Sequence, residues 1–445
     1  MRRHILHGPP GPPGTWSAPP VPLATACRVG LLAAVGLLAL GCEQSLGKTV
    51  QSLQSLAVVL KSPSPDNLGT SDNPISPTEI IFDVRAIDSN GQPYVQDLEA
   101  DIFLAFSGNR IGRLTPCGTD EDKTPLAHIQ LPGGVATDLR VPIARYYGKV
   151  ALWVEEQARE GENVRAFGAS PEMTFRSPTI PDIQKPLDES APTATYCTPF
   201  NGKQITVVNG TGTGQLVVTS VFPNAYIVTD TGALYDRATG LGGYNSMYVF
   251  TFGSPPFFIE PGRVLGRVGG NISKFVGFTE LNFPYQDPAS VNDLVQVPPP
   301  FELFASDRGK NLMLLRLSAS TVKTTARICP IDVNSDNWKQ FNQFALYYSD
   351  GICNAFNTFQ VGLPSKVLGT FDPLAYQTKS ITVIGALRNF SGQNPADPLT
   401  TCTAKSDCAA AGFPSSTDCV EGLCRKGAFN FWNILPRDPS DVVVN

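Results

Sequence analysis

The 445-residue sequence predicts a mainly β protein in which a sandwich is followed by two small barrels, the second carrying a cysteine-rich insert. Three observations predict it. Gly (40) and Pro (39) are abundant while only 16% of residues are charged, the composition of short strands joined by tight turns. Apolar and polar residues alternate with period two through many short stretches separated by Gly, Asn, Asp and Pro. Four of the ten cysteines fall between positions 402 and 424, a local density that suits a disulfide-stapled insert.

The first element is the stretch RVGLLAAVGLLALGCEQSLGKT, which begins at Arg28. Its apolar run, residues 29–40, is shorter than the roughly 20 residues a membrane-spanning helix needs. It fits the core of a signal peptide, about 7–15 residues, with Arg28 before it and small Gly41 at its end. A phosphate-binding loop ending at Gly47-Lys48-Thr49 fails because Cys42 stands where the first glycine is needed. The tetrad Ala39-Leu40-Gly41-Cys42 resembles the lipobox of bacterial lipoproteins, with Ala39 where Leu is commoner. That resemblance implies cleavage of residues 1–41, a Pro-rich preface included, and acylation of Cys42. Two or three acyl chains hold a protein on a bilayer where one does not. The implied location is the cell envelope, on the outer membrane, since Glu43 is not the Asp that retains lipoproteins at the inner membrane.

In an exported chain the remaining eight cysteines, Cys117, Cys197, Cys329, Cys353, Cys402, Cys408, Cys419 and Cys424, read as disulfides. Cys329 and Cys353 flank a strand pair, the last four share one insert, and Cys117 and Cys197 are left to meet near the junction of sandwich and first barrel. Zinc is disfavoured because the last four are not arranged as two close pairs. With His4 and His7 in the leader, only His128 remains, and its setting in PLAHIQLP is that of a strand residue rather than a base. No nucleophile–base constellation accompanies it, so the expectation is a non-enzymatic protein. The net charge of −5 becomes more negative when Arg2, Arg3 and Arg28 leave with the leader, which argues against broad phosphate-backbone binding.

After a tether and first strand in 42–77, residues 78–178 alternate as strand, turn and strand. Ile81, Asp83 and Arg85 oppose Phe82, Val84 and Ala86, and Ser89-Asn90-Gly91-Gln92-Pro93 supplies the turn. The strand followed by D-x-N-G-x-P resembles the immunoglobulin-like sandwich of bacterial surface proteins. Residues 179–202, TIPDIQKPLDESAPTATYC and its flanks, read as a Pro-rich linker.

Residues 203–290 hold AYIVTD (Tyr226 to Asp230) and PGRVLGRVGGNISKFVGFTEL (through Leu281), with Arg267 and Lys274 as its bases. This block resembles the OB-fold-like modules of secreted bacterial nucleases and related cell-surface proteins. Residues 300–445 end in WxIxPRxxxDxxV, Trp432 to Val444, which resembles the final strand of the same modules, and they carry the disulfide-rich insert at 398–427. The expected fold is therefore an immunoglobulin-like sandwich followed by two OB-fold-like small barrels.

Two sets of residues are candidate sites. Asp332, Asn334 and Asp336 match the alternate oxygens of a Ca2+ loop, although glycine is missing at the sixth position and Gln343 stands where a bidentate Glu belongs. Tyr226, Tyr248, Phe250 and Phe275 form a candidate stacking platform for bases or sugars, as on OB faces. The acids Asp120-Glu121-Asp122 and Glu155-Glu156 read as solvated charges. The expected partners are a lipid bilayer through Cys42 and an envelope component or glycan. The expected role is that of ligand-binding or spacer β-domains; the OB-type resemblance implies, as the alternative, an accessory role in the binding or processing of extracellular nucleic acid, bound weakly, with no cofactor other than Ca2+ in view.

Overall fold

The computed structural model describes residues 52–64, 70–71, 77–106, 109–114, 124–157, 165–187, 189, 198–212, 214–275, 278–290, 293–351, 353, 358–392, 402–410, 417–420, 423–426 and 429–445. Cys42, Cys117 and Cys197 lie outside them, as do the side chains of Asp336, Cys419 and Cys424. The chain is mainly β, an immunoglobulin-like sandwich followed by two OB-fold-like barrels.

The strand anticipated before residue 78 belongs to the sandwich. Leu53–Ser62 pairs antiparallel with Thr78–Asp88, which pairs in turn with Val135–Ile143. The facing sheet is built on Leu98–Phe106 and Lys149–Glu156. Period-two alternation sends Ile80, Phe82, Val84 and Ala86 inward to meet Leu98, Ala100, Ile102, Leu104 and Phe106, all buried. Each such large side chain contributes roughly 1.5–3 kcal/mol on burial. The D-x-N-G turn is as the sequence predicts: Asp88 Oδ1 accepts from the Asn90 and Gln92 N–H groups at 2.8 and 2.9 Å, and Gly91 takes a φ of 74°.

The described part of 179–202 is packed, not a free linker. Thr179 caps the short Ile180–Gln184 helix, whose Ile180 and Ile183 are fully buried, and Gln184 donates to the Ser246 carbonyl at 2.9 Å. Phe200, also fully buried, lies against Phe106 and Tyr147. Glu189 accepts from Tyr244 Oη at 2.9 Å and Arg316 Nη2 at 3.0 Å. The Pro and polar content signals a loop, but three apolar side chains are enough to weld that loop to its neighbours. One hydrophobic core consequently runs from Leu56 in the sandwich to Leu281 in the first barrel.

The first barrel uses Gln204–Val208, Leu216–Phe222, Ala225–Asp230, Ser246–Phe250, Leu265–Phe275 and Phe278–Pro288. Ser246–Phe250 and Phe278–Pro288 run parallel, with Val249 opposite Leu281; every other ladder in this sheet is antiparallel. Counted from Leu216–Phe222, with Gln204–Val208 as an added edge strand, the parallel pair is the third and fifth strands, whose parallel pairing is what an OB topology requires. Closure is completed by reciprocal bonds between the chain near Gly262-Arg263 and Val218, at 2.8 and 2.9 Å. Gly262 sits at φ 90° against the Val295 carbonyl, where a Cβ would approach to 2.5 Å, so glycine is needed at this position of the PGRV motif.

The second barrel repeats the plan. Thr321–Ile328, Gln343–Tyr347, Phe359–Gly362, Phe429–Leu435 and Ser380–Gly392 form a closed ring, again with a parallel pair, Val361 opposite Ile434. The insert leaves between Ser380–Gly392 and Phe429–Leu435, the fourth and fifth strands of the ring; in it a Thr417–Val420 strand pairs with Leu423–Lys426. Cys329 and Cys353 are joined by a disulfide, and Cys402 and Cys408 are each disulfide-bonded. The terminal motif has a physical basis: Arg437 grips Asp441 through Nε and Nη2 at 2.9 and 2.8 Å, bracing the Pro439–Asp441 turn. Arg437 Nη1 also reaches the Thr219 carbonyl of the first barrel at 3.4 Å.

Candidate functional site

The face of the first barrel that turns toward the second carries the site. On Ala225–Asp230 and Ser246–Phe250, Tyr226, Val228, Met247 and Val249 point into the barrel, and Ala225, Ile227 and Tyr248 point out. The outward set, with Phe222 and Phe278, packs on Ala319 and Ala386 of the second barrel. Where the two barrels diverge at the edge of this contact they leave a cleft of about 680 Å³. Tyr248, Phe250, Phe275 and Glu280 line it from the first barrel, Lys366 and Arg388 from the second.

Three of the four predicted platform residues therefore meet in one cavity. Tyr226 does not. It is fully buried inside the barrel, and burial pushes its hydroxyl far up. The correction has a simple cause: a strand covered on both faces loses the alternation of polar and apolar residues that reports which face is outside.

Arg388 was not legible as a site residue. Its guanidinium lies 5.1 Å from the Tyr248 ring centroid and 5.3 Å from that of Phe278, a cation held by the faces of two rings. Removal from water pulls its affinity for the proton down, opposed by the fields of Tyr248 and Glu280. Glu280, from the TEL motif, is 7% exposed. Burial raises its pKa, while the Asn282 side chain, Arg388 and Ser273 resist the rise. Ser273 Oγ donates to Glu280 Oε1 at 3.4 Å and itself accepts from Asn282 Nδ2 at 2.7 Å. The one sequence signal for Arg388 is a lone cation amid the apolar strand ITVIGALRNF. Chemically, the cleft offers ring faces beside a guanidinium and a carboxylate of opposite charge, the elements of a binding site for a polar ring.

The remaining candidates go elsewhere. Asp332 Oδ1 accepts from the Asn334 N–H at 2.9 Å, and Ser335 caps the Asp336–Phe341 helix, so the segment proposed for Ca2+ is a turn leading into a helix. Among the described residues no cluster of three or more His, Cys, Asp or Glu side chains is placed to hold a metal. Arg267 pairs with Asp287 at 2.6 Å, and neither it nor Lys274 lines the cleft. His128 Nδ1 meets Asp101 Oδ1 at 2.6 Å on an exposed sandwich strand.

Glu155 and Glu156 are buried rather than solvated: Glu155 is held by Arg110 at 2.5 Å, Arg165 at 3.2 Å and Trp153 Nε1 at 3.0 Å. Among the described residues no helix is long and apolar enough to cross a membrane. No protein-family model matches the chain, and no curated protein matches it in sequence.

Proposed function

We propose that this chain is a non-enzymatic, lipid-anchored protein of the bacterial envelope that binds a ligand in the cleft between its barrels. The observation that carries the reading is the convergence of Tyr248, Phe250 and Phe275 with Arg388 and Glu280 around about 680 Å³. That volume falls within the roughly 300–1,000 Å³ of small-ligand sites, and a few polar groups among ring faces is the composition such sites have. The lipobox at Cys42 supports the anchor and the outer membrane as its location, with disulfides suited to that compartment.

A second reading, weak binding of nucleic acid, draws on the OB topology, whose faces accept oligonucleotides as well as oligosaccharides. The acidic net charge and the presence of the carboxylate Glu280 beside Arg388 in the cleft favour the first.

The test has two arms. Full-length chain is screened against glycans and oligonucleotides, and Phe250→Ala is expected to lose at least tenfold in affinity for whatever binds, the scale of one lost stacking contact. Cys42→Ser is expected to move the protein from the membrane to the soluble fraction. Retained affinity would overturn the cleft; a variant that still needs detergent, with no acyl mass on the wild type, would overturn the anchor.

A further inference from the structure

Next to the cleft lies an aromatic feature that packing does not explain. Phe250, which lines the cleft, meets Phe252 edge-on at 4.5 Å, and Phe252 stacks on Phe283 at 4.7 Å with an interplanar angle of 24°. Phe252 is 56% exposed and Phe283 71%. Both have left-handed backbones, φ 59° and 50°, a conformation that bulky side chains rarely adopt and that costs energy.

Two different devices bring them there. Phe252 lies just past the end of Ser246–Phe250, where the chain bends at Phe252-Gly253. Phe283 falls in the bulge between the pairs Gly269–Tyr285 and Asn271–Asn282, an irregularity of the kind that re-aims a side chain. A chain selected only for stability would place Gly or Asn at such backbones. Here two separate elements hold phenyl rings out in water, side by side, in continuity with the cleft.

Resting on the reading of the cleft as a ligand site, we propose that the ligand is a neutral oligo- or polysaccharide, one end seated in the cleft beside Arg388 and Glu280 and the chain leaving over a track of Phe250, Phe252 and Phe283. A pyranose ring has an apolar C–H face that lies on a phenyl ring and a hydroxyl rim that bonds to groups such as Glu280, Arg388 and Asn224, all in the cleft lining. The charges decide against a polyanion. The cleft holds two cations, Arg388 and Lys366, beside the carboxylate Glu280, whereas binding of nucleic acid draws its affinity from many uncompensated cations. The size decides against a protein partner. Three phenylalanines, each covering at most about 200 Å², fall short of the roughly 800 Å² per side of a stable protein interface.

The experiment measures affinity of the full chain for neutral oligosaccharides from mono- to hexasaccharide, with oligouronates and an oligothymidylate as comparators, by calorimetry. The variant is Phe252→Asn with Phe283→Asn, since Asn accepts the left-handed backbone and the fold is kept; a melting curve confirms it. For the wild type, affinity is expected to climb with sugar chain length, and in the variant that climb is expected to disappear, a loss of tenfold or more on the longest probe.

The same climb in the variant overturns the track and leaves the cleft standing. Preference for the oligouronate or the oligothymidylate overturns the neutral ligand. If Phe250→Ala abolishes binding of some probe whose affinity does not grow with length, the cleft holds and the track falls. No binding of any probe, at any length, removes both. Self-association that the double variant abolishes, read by light scattering, makes the rings a contact between copies and overturns the proposal.

Discussion

Glu280 shows how one side chain couples the cleft to stability. Burial raises its carboxyl pKa above the value it has in the unfolded chain, near 4.3. Between those two values the folded state holds more protons than the unfolded state, so stability falls as pH rises through that window and levels off above it. Below the unfolded value the contribution is fully present. Glu280→Gln, neutral at every pH, is therefore expected to melt above wild type near pH 7 and to lose that advantage near pH 4, as thermal melts across pH will read. An advantage that persists in acid would place the cause elsewhere.

The same scale shows what a sequence reveals of a site. Tyr248, Phe250 and Phe275 were legible as candidates because strand aromatics in an OB-like block are where a stacking face is expected. Glu280 and Arg388 were not, because a carboxylate and a guanidinium some hundred residues apart have no local pattern that announces their meeting. Phe252 and Phe283 escaped for a different reason: one follows a strand and the other sits on a bulge, and neither keeps the period that marks a face.

Among the elements, the disulfide of the second barrel ties the end of Thr321–Ile328 to the loop that precedes Phe359–Gly362. It closes a loop of sequence separation 24, which by the chain-entropy estimate contributes about 3 kcal/mol. Cys329→Ala with Cys353→Ala is expected to lower stability by about that amount, read in denaturant melts as a lower midpoint with a slope no shallower than wild type, since the uncrosslinked unfolded chain is more expanded. A midpoint within error of wild type would show that the barrel does not depend on the staple.

The strands themselves were largely predictable, since AYIVTD, GRVLGRV and WNILPRDPSD each carry a turn or pairing constraint that the structure uses. Gly262 makes the closing approach and Arg437 the terminal grip. What local patterns could not supply was partnership. Nothing in residues 53–62 says that this strand pairs with Thr78–Asp88, and nothing in 179–202 says that Ile180, Ile183 and Phe200 will be covered, because burial of a short apolar motif is decided by elements distant in sequence.

For the molecule as a whole, the shared core makes the sandwich and first barrel one cooperative body. Phe200→Ala removes a fully buried ring at the seam of that body and is expected to cost about 3–5 kcal/mol. Calorimetry should show the sandwich and first barrel losing stability together, as one transition moved to lower temperature. Two transitions, only one of them moved, would mean that the seam is a contact between independent units.

The two parallel closures also set an order of assembly. In the first barrel Val249 must find Leu281, and in the second Val361 must find Ile434 across the insert. The second loop is more than twice as long, which adds only about 0.6–0.7 kcal/mol of closure entropy, so the insert is nearly free at equilibrium. Its effect is on rate, because pairings remote in sequence are slow to form. The bridge between Cys329 and Cys353 gives no help, since both cysteines precede Val361 and lie outside that loop. The cleft, which needs walls from both barrels, is thus a late product of folding: the chain acquires its sandwich and first barrel before it acquires the cleft between them.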